Sequence, residues 1–377
     1  MIDACVHHTW ANQADVTAYM SKRWQTYLAQ PEKIEGAPDA IPILPMFPFH
    51  HPDGDKLAGS TPARGPAGSD FELFVEQHLE RTGSDRVILS HDAGMFTPSL
   101  PNPEIAADVV QAINTWTVED WASRDPRLYT LILVPTQTPD LAAEEIARWA
   151  GEPRVVGVLL AANGLNRPFA HPAYDPILAA AEAHDLPLVI HVGADALPES
   201  LTHPTAGGLP TMYAEFAMFK PQAAMTNLVS LICQGAFDRH PRLRVMFSGA
   251  GVGWLPPVMW RCDSEYSAYR RETLITALPS EYVRRHVRVC TNPFDVSPRP
   301  EQLIRFMQAY GGLEDILIYG SGYPNWDTDW PEQLAERMPA DWGEKVFHTN
   351  ALDFFRWERS DETLGGSLVA SDSKEGS

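Results

Sequence analysis

Positive charge is scarce in this sequence. Its 377 residues carry 29 Lys and Arg against 49 Asp and Glu, a formal net charge of −20. Binding a phosphate backbone needs clustered Lys and Arg, so no nucleic-acid partner is expected. Cysteine is scarce too: Cys5, Cys233, Cys262 and Cys290 are scattered, with no CxxC pair. That argues against a disulfide framework and predicts a reducing, cytoplasmic setting. No apolar run of about 18 residues occurs, so no membrane span is expected. The chain opens on Ile2-Asp3-Ala4 without a basic segment and an apolar stretch, which predicts no secretory signal.

What the chain does contain is enough apolar sequence, 44% of residues, to bury a full core. Short β-branched or apolar runs alternate with longer helical patterns. The expected strands are Ile2–Val6, Val87–Ser90, Leu128–Val134, Val155–Leu160, Leu188–His191, Arg244–Phe247, Val287–Cys290 and Ile316–Tyr319. The helical stretches include Ile105–Trp121, Leu141–Trp149, Ile177–His184, Asn227–Phe237 and Glu301–Tyr310. Continuous apolar strands fit a parallel sheet buried on both faces. Eight of them alternating with helices predict an α/β protein, a (β/α)8 TIM-type barrel over residues 1–358. A doubly wound open sheet is the alternative. The 33 prolines are read as markers of loop junctions. Residues 31–69, rich in Pro, Gly, His and Asp, read as an insertion after the first strand, a lid or a subunit contact. Residues 359–377 read as a disordered tail.

The first strand is the most informative stretch. In Asp3-Ala4-Cys5-Val6-His7-His8, alternation places Asp3, Cys5 and His7 on one face and Ala4, Val6 and His8 on the other. A thiolate and an imidazole on one face suit zinc. The plain structural reading of the pair is a buried Cys and a hydrogen-bonded His. A second apolar strand ends in His191, at the strand end where functional side chains gather in a parallel barrel. A Cys5 nucleophile activated by either histidine fits less well, because the two-residue spacing suits shared coordination. The His50-His51-Pro52-Asp53 patch reads as a solvated loop. The Trp-rich stretch from Gly253 to Trp260 reads as core rather than as a surface for another barrel.

The chain resembles the amidohydrolase-related family, the branch of metal-dependent hydrolases that includes aminocarboxymuconate semialdehyde decarboxylase. The likeness is carried by Ile2 to Trp10, Asp125-Pro126-Arg127-Leu128, Tyr174-Asp175-Pro176-Ile177, Pro187 to Gly193 and Gly251 to Pro256. Arg261-Cys262-Asp263, Tyr319 to Asp327 and Asn350-Ala351 extend it. The resemblance implies a barrel with a metal at its C-terminal mouth. Four positions on three strands depart from the family pattern. The first-strand ligand is Cys5 where His or Asp is usual. Gly249 stands where strand six normally ends in Glu or His. Ser321-Gly322-Tyr323-Pro324-Asn325 replaces Ser-Asp-Tyr-Pro-His, removing a carboxylate at Gly322 and a histidine at Asn325. Asp327 and Asp329 are candidates to replace the lost acid in part.

What remains is Cys5, His7 and His191, a set that predicts one zinc ion with an open fourth position. Two functions follow from the resemblance. In the first, the chain supports a homologous amidohydrolase-fold subunit, as in the two-component 2-aminoisobutyrate hydroxylase-type monooxygenases, with iron or manganese in that partner. In the second, the chain is a self-sufficient zinc-dependent hydrolase or non-oxidative decarboxylase of a small carboxylate.

Overall fold

The computed structural model describes residues 1–28, 44, 55–162, 167–192, 208, 210–295, 297 and 299–357. Most of the expected insertion, the His50-His51 patch and the expected tail lie outside the described residues. Eight strands run in sequence order around one parallel sheet: β1 (Ile2–His8), β2 (Arg86–His91), β3 (Leu128–Leu133), β4 (Val155–Ala161), β5 (Leu188–His191), β6 (Val245–Ser248), β7 (Val287–Cys290) and β8 (Leu317–Ile318). The chain beyond β8 pairs back onto β1: Ala4 N donates to Tyr319 O (2.9 Å) and His7 N to Tyr323 O (2.7 Å). That return closes the barrel and disposes of the open-sheet alternative.

The strands fall within two residues of their expected ends, because each is an apolar run buried on both faces. All seven residues of β4 are buried. Helix starts follow from proline. Pro103, Pro139, Pro221, Pro279, Pro300 and Pro331 each open a helix, where the missing N–H costs nothing and φ is already set. Much of the proline content is therefore helix punctuation. Asn102 adds a side-chain cap, accepting from the N–H groups of Glu104 and Ile105.

The expected helix Ile105–Trp121 is an α-helix over Pro103–Trp116 that widens into a π-turn at Thr117–Trp121. Its inner face carries Trp116 and Trp121 against His8, which turns outward from β1. The Trp-rich stretch divides: Trp254 is buried against Phe247, whereas Trp260 is 42% exposed and leans on Phe306. Short β8 is pinned by the buried Asn350, whose amide donates to Glu314 O and Leu317 O, both at 2.7 Å. Among the described residues, no helix is long and apolar enough to cross a membrane.

Candidate metal centre

β1 and β5 face each other across the barrel and bring three donors together. Cys5 Sγ lies 3.6 Å from His7 Nε2 and 3.7 Å from His191 Nε2. A tetrahedral ion with bonds of about 2.3 Å to sulfur and about 2.0–2.1 Å to nitrogen separates those donors by about 3.6 Å. The two sulfur–nitrogen spacings therefore match those around a single ion, and all three donor atoms lie within 4.8 Å of one another. Among the described residues, these three side chains are the set of potential ligands that converges in this way, and all are buried.

Protonation suits ligation for the two imidazoles. Burial pulls His191 down to about 4 and, with His191 beside it, takes His7 well below the ordinary range, so both are neutral at neutral pH. Cys5 behaves oppositely. A hydrogen bond with Cys290 and burial push its thiol well up, so the thiol stays protonated until a cation takes its place. Ser248 Oγ donates to Cys5 Sγ at 3.3 Å, a contact that favours the thiolate.

The expected partnership of Asp3 with Cys5 and His7 does not form. The β1–β2 register shifts between Asp3 and Val6, and this breaks the strict alternation of the strand. Asp3 instead accepts from the N–H groups of Cys5 and Ser321 and pairs with His78 Nε2 at 2.8 Å. Ser321 Oγ also approaches His78 Nε2, at 3.3 Å. Aspartate and serine thus share one ring nitrogen, so this buried Ser-His-Asp set cannot relay a proton between the imidazole's two ends. It is a clamp between β1 and the chain after β8.

A carboxylate absent from the sequence reading stands beside the centre. Asp92, one residue past β2, places Oδ1 3.9 Å from His7 Nδ1 and pairs through Oδ2 with Lys56 Nζ at 2.8 Å. Burial opposes its ionisation, but Lys56 and the neighbouring histidines more than offset that and hold it below the usual carboxylate range. Lys56 also donates to Asn325 Oδ1 at 2.8 Å. The signal for Asp92 was present in Ser90-His91-Asp92, an apolar strand ending in polar groups at the catalytic end of a barrel.

The altered family positions are filled or closed. Gly322 has φ +69°, and a Cβ there would overlap the side-chain amide of Asn292. Asn292 in turn donates to Ser321 O (3.0 Å) and Asp327 O (2.9 Å), so the space of the missing carboxylate belongs to an anchored amide. Gly249 has φ +74°, and its Cβ would come within 2.9 Å of His191 Cε1. A side chain at Gly249 would displace a ligand. Asp329 accepts from Phe294 N at 2.7 Å and pairs with Arg337 at 3.1 Å, so it serves the loop; Asp327 lines the mouth.

The mouth is a cavity of about 180 Å³ over His7 and His191, with Lys56, Lys220, Tyr213 and Trp326 in its walls. A closed parallel barrel with nitrogen and sulfur donors converging at this end is the architecture expected of the amidohydrolase class of barrel. The chain belongs to the amidohydrolase family, whose model matches residues 35–357. β1, which carries Cys5 and His7, lies ahead of the matched span.

Gamma-resorcylate decarboxylase of Rhodococcus jostii (strain RHA1) is 27% identical over 309 residues, covering 77% of this chain and 87% of that protein. The 2-amino-3-carboxymuconate-6-semialdehyde decarboxylase of Dictyostelium discoideum is 23% identical, covering 78% and 74%. 5-Carboxyvanillate decarboxylase of Novosphingobium aromaticivorans, solved with manganese and 4-hydroxy-3-methoxy-5-nitrobenzoic acid, superposes with a TM-score of 0.63 at 21% identity over 94% of this chain and 96% of that one. These relatives are named as decarboxylases of carboxylated small molecules, which favours the self-sufficient enzyme over the supporting subunit.

Proposed function

We propose that this chain is a mononuclear metal-dependent enzyme of the non-oxidative decarboxylase or hydrolase type, acting on a small carboxylate. The observation that carries the proposal is the convergence of Cys5, His7 and His191 at the edge lengths of a tetrahedral ion, opening on a small cavity that holds two lysines. A thiolate among the donors favours zinc over manganese, which prefers oxygen ligands. When bound, the ion supplies a Lewis acid and an open coordination position.

The chain's own groups supply the rest. Lys56, held protonated by Asp92 and Asp55 against burial, and Lys220 stand in a wall that also carries Asp55, Asp92 and Asp327, so they offer a substrate carboxylate local ammonium donors rather than a net positive field. Asp92 lies 3.9 Å from His7 Nδ1, beyond hydrogen-bond reach but near enough to act on the ring through its charge. Tyr213, Phe216 and Trp326 restrict the mouth and limit water. Four free cysteines fit a reducing cytoplasm.

The test is metal analysis of the chain purified alone, followed by assay of carbon dioxide release from a panel of hydroxybenzoates and small aliphatic carboxylates. About one zinc per chain and turnover that disappears in His191→Ala support the reading; a metal-free, inactive chain defeats it.

One observation favours a second reading. Gly249 and Gly322 stand where the family pattern has proton-handling side chains, and neither position has room for one. A barrel so altered suits the supporting role beside a homologous subunit of a metal-dependent monooxygenase. Iron or manganese found only when a homologous chain co-purifies would select this reading.

A further inference from the structure

The opposite end of the barrel holds a second, larger cavity of about 590 Å³. It lies at the N-terminal ends of β6 and β7, whereas His7 and His191 stand at the C-terminal ends of β1 and β5. Five arginines line it in a chain of net charge −20: Arg242, Arg244, Arg285, Arg288 and Arg356. The fold gathers them from the approach to β6, from β7, from the helix Pro279–His286 and from the end of the last described helix.

Their partners do not account for all of them. Asp185 takes Arg244 at 2.9 Å and Arg356 at 2.7 Å, and Glu281 takes Arg285 at 2.9 Å. Those pairs fasten the C-terminal segment and one helix, and they explain three of the five. Asp238, on the cavity wall, accepts from Tyr282 Oη at 2.6 Å and Thr276 Oγ1 at 2.9 Å. Asp353 acts on Arg288 at longer range. Arg242 is exposed, and no ion pair joins its guanidinium to another described residue. Arg288 Nη1 reaches only main-chain oxygens, Val287 O at 2.9 Å and Arg284 O at 3.4 Å, and its Nε is buried without an acceptor. Burial also lowers the pKa of Arg288 and holds Arg244 at about 10, as expected where counter-charge is incomplete.

We propose that this cavity binds a small oxyanion-bearing metabolite, its phosphoryl or carboxylate group seated between Arg242 and Arg288. Guanidinium forks match both groups with paired, charge-assisted hydrogen bonds, and the exposed Arg242, which has no ion pair with a described residue, is placed to give them beside Arg288. His286, stacked on the buried Phe237 with ring centres 4.6 Å apart, lines the same cavity.

The test is calorimetric titration of the full chain at an ionic strength of about 20 mM, where charge is little screened. The probes are inorganic phosphate, phenyl phosphate and succinate. Saturable binding is expected, weakened about tenfold or more in Arg242→Ala and in Arg288→Met, and unchanged in His191→Ala. Phosphates outcompeting succinate assign a phosphoryl ligand, and the reverse a dicarboxylate. The proposal is overturned if no probe saturates below about 10 mM. It is equally overturned if both arginine variants bind like the parent, or if His191→Ala abolishes binding and so places the ligand at the metal end. Should Arg288→Met fail to fold by circular dichroism, the exposed Arg242→Ala decides alone.

Discussion

The rim of the barrel carries two unlike pairs of strand ends. At β1 and β5, which face each other across the barrel, three potential donors lie within 4.8 Å of one another, and their surroundings keep both imidazoles neutral. After the strands that neighbour them, β6 and β8, the corresponding positions are Gly249 and Gly322, one pressed against His191 and the other against Asn292. On the reading proposed above, cation-holding chemistry and proton-handling chemistry belong to different strand ends of this scaffold. The first needs donors on two facing strands. The second needs side chains at strand ends where this chain has closed the space.

The sharpest way to break that contrast is to remove a donor. His191→Ala should lower zinc affinity at least ~100-fold, measured by competition with a chromogenic chelator, while the far-ultraviolet spectrum stays unchanged. Equal affinity in the variant would mean that the ion is held elsewhere. The next effect comes from trying to refill the emptied side. Gly322→Asp should destabilise the fold by ~2–4 kcal/mol in urea titration, since it adds both a positive-φ penalty and an overlap with Asn292. Pairing it with Asn292→Gly should recover part of that loss; a fully stable single variant would show the space to be open after all.

A third experiment follows Asp329, the buried acid that follows the altered motif. Burial raises its carboxyl to about 6, above its unfolded value, despite the Phe294 N–H and Arg337. The native state therefore binds more protons than the unfolded chain between about pH 4 and 6, and stability is lost as pH rises through that window. Asp329→Asn should gain on the parent by about 2 kcal/mol between pH 4 and pH 6.5, with no further gain above. A flat difference across the window would remove the buried, structural role assigned to this residue. The smallest effect is expected at Asp92→Asn, which keeps the shape but removes the charge facing His7 and Lys56. Zinc affinity should fall by up to about tenfold, with metal stoichiometry retained.

Much of this contrast was legible in the residues themselves. The strand order followed from uninterrupted apolar runs. Cys5, His7 and His191 stood out because alternation and strand-end position are local properties. The lost acids were visible as Gly249 and Gly322 against the family pattern. What pattern could not supply was anything set by register or by distant pairing. The bulge that turns Asp3 toward His78 leaves no mark in the composition of β1. Asp92 and Lys56 meet across 36 residues of chain, and Asn292 fills the Gly322 space from a different strand. The prolines were read as loop markers because a helix start and a loop end look alike until the helix is seen.

The seam where His7 N meets Tyr323 O has a bearing on biogenesis. Two of the three donors sit on the strand synthesised first, yet that strand acquires its second neighbour only from residues synthesised near the end. The third donor arrives midway. During translation, then, β1 must wait for the residues after β8 before its side chains are fixed in place, so the three potential donors come to rest together only once the whole barrel has emerged.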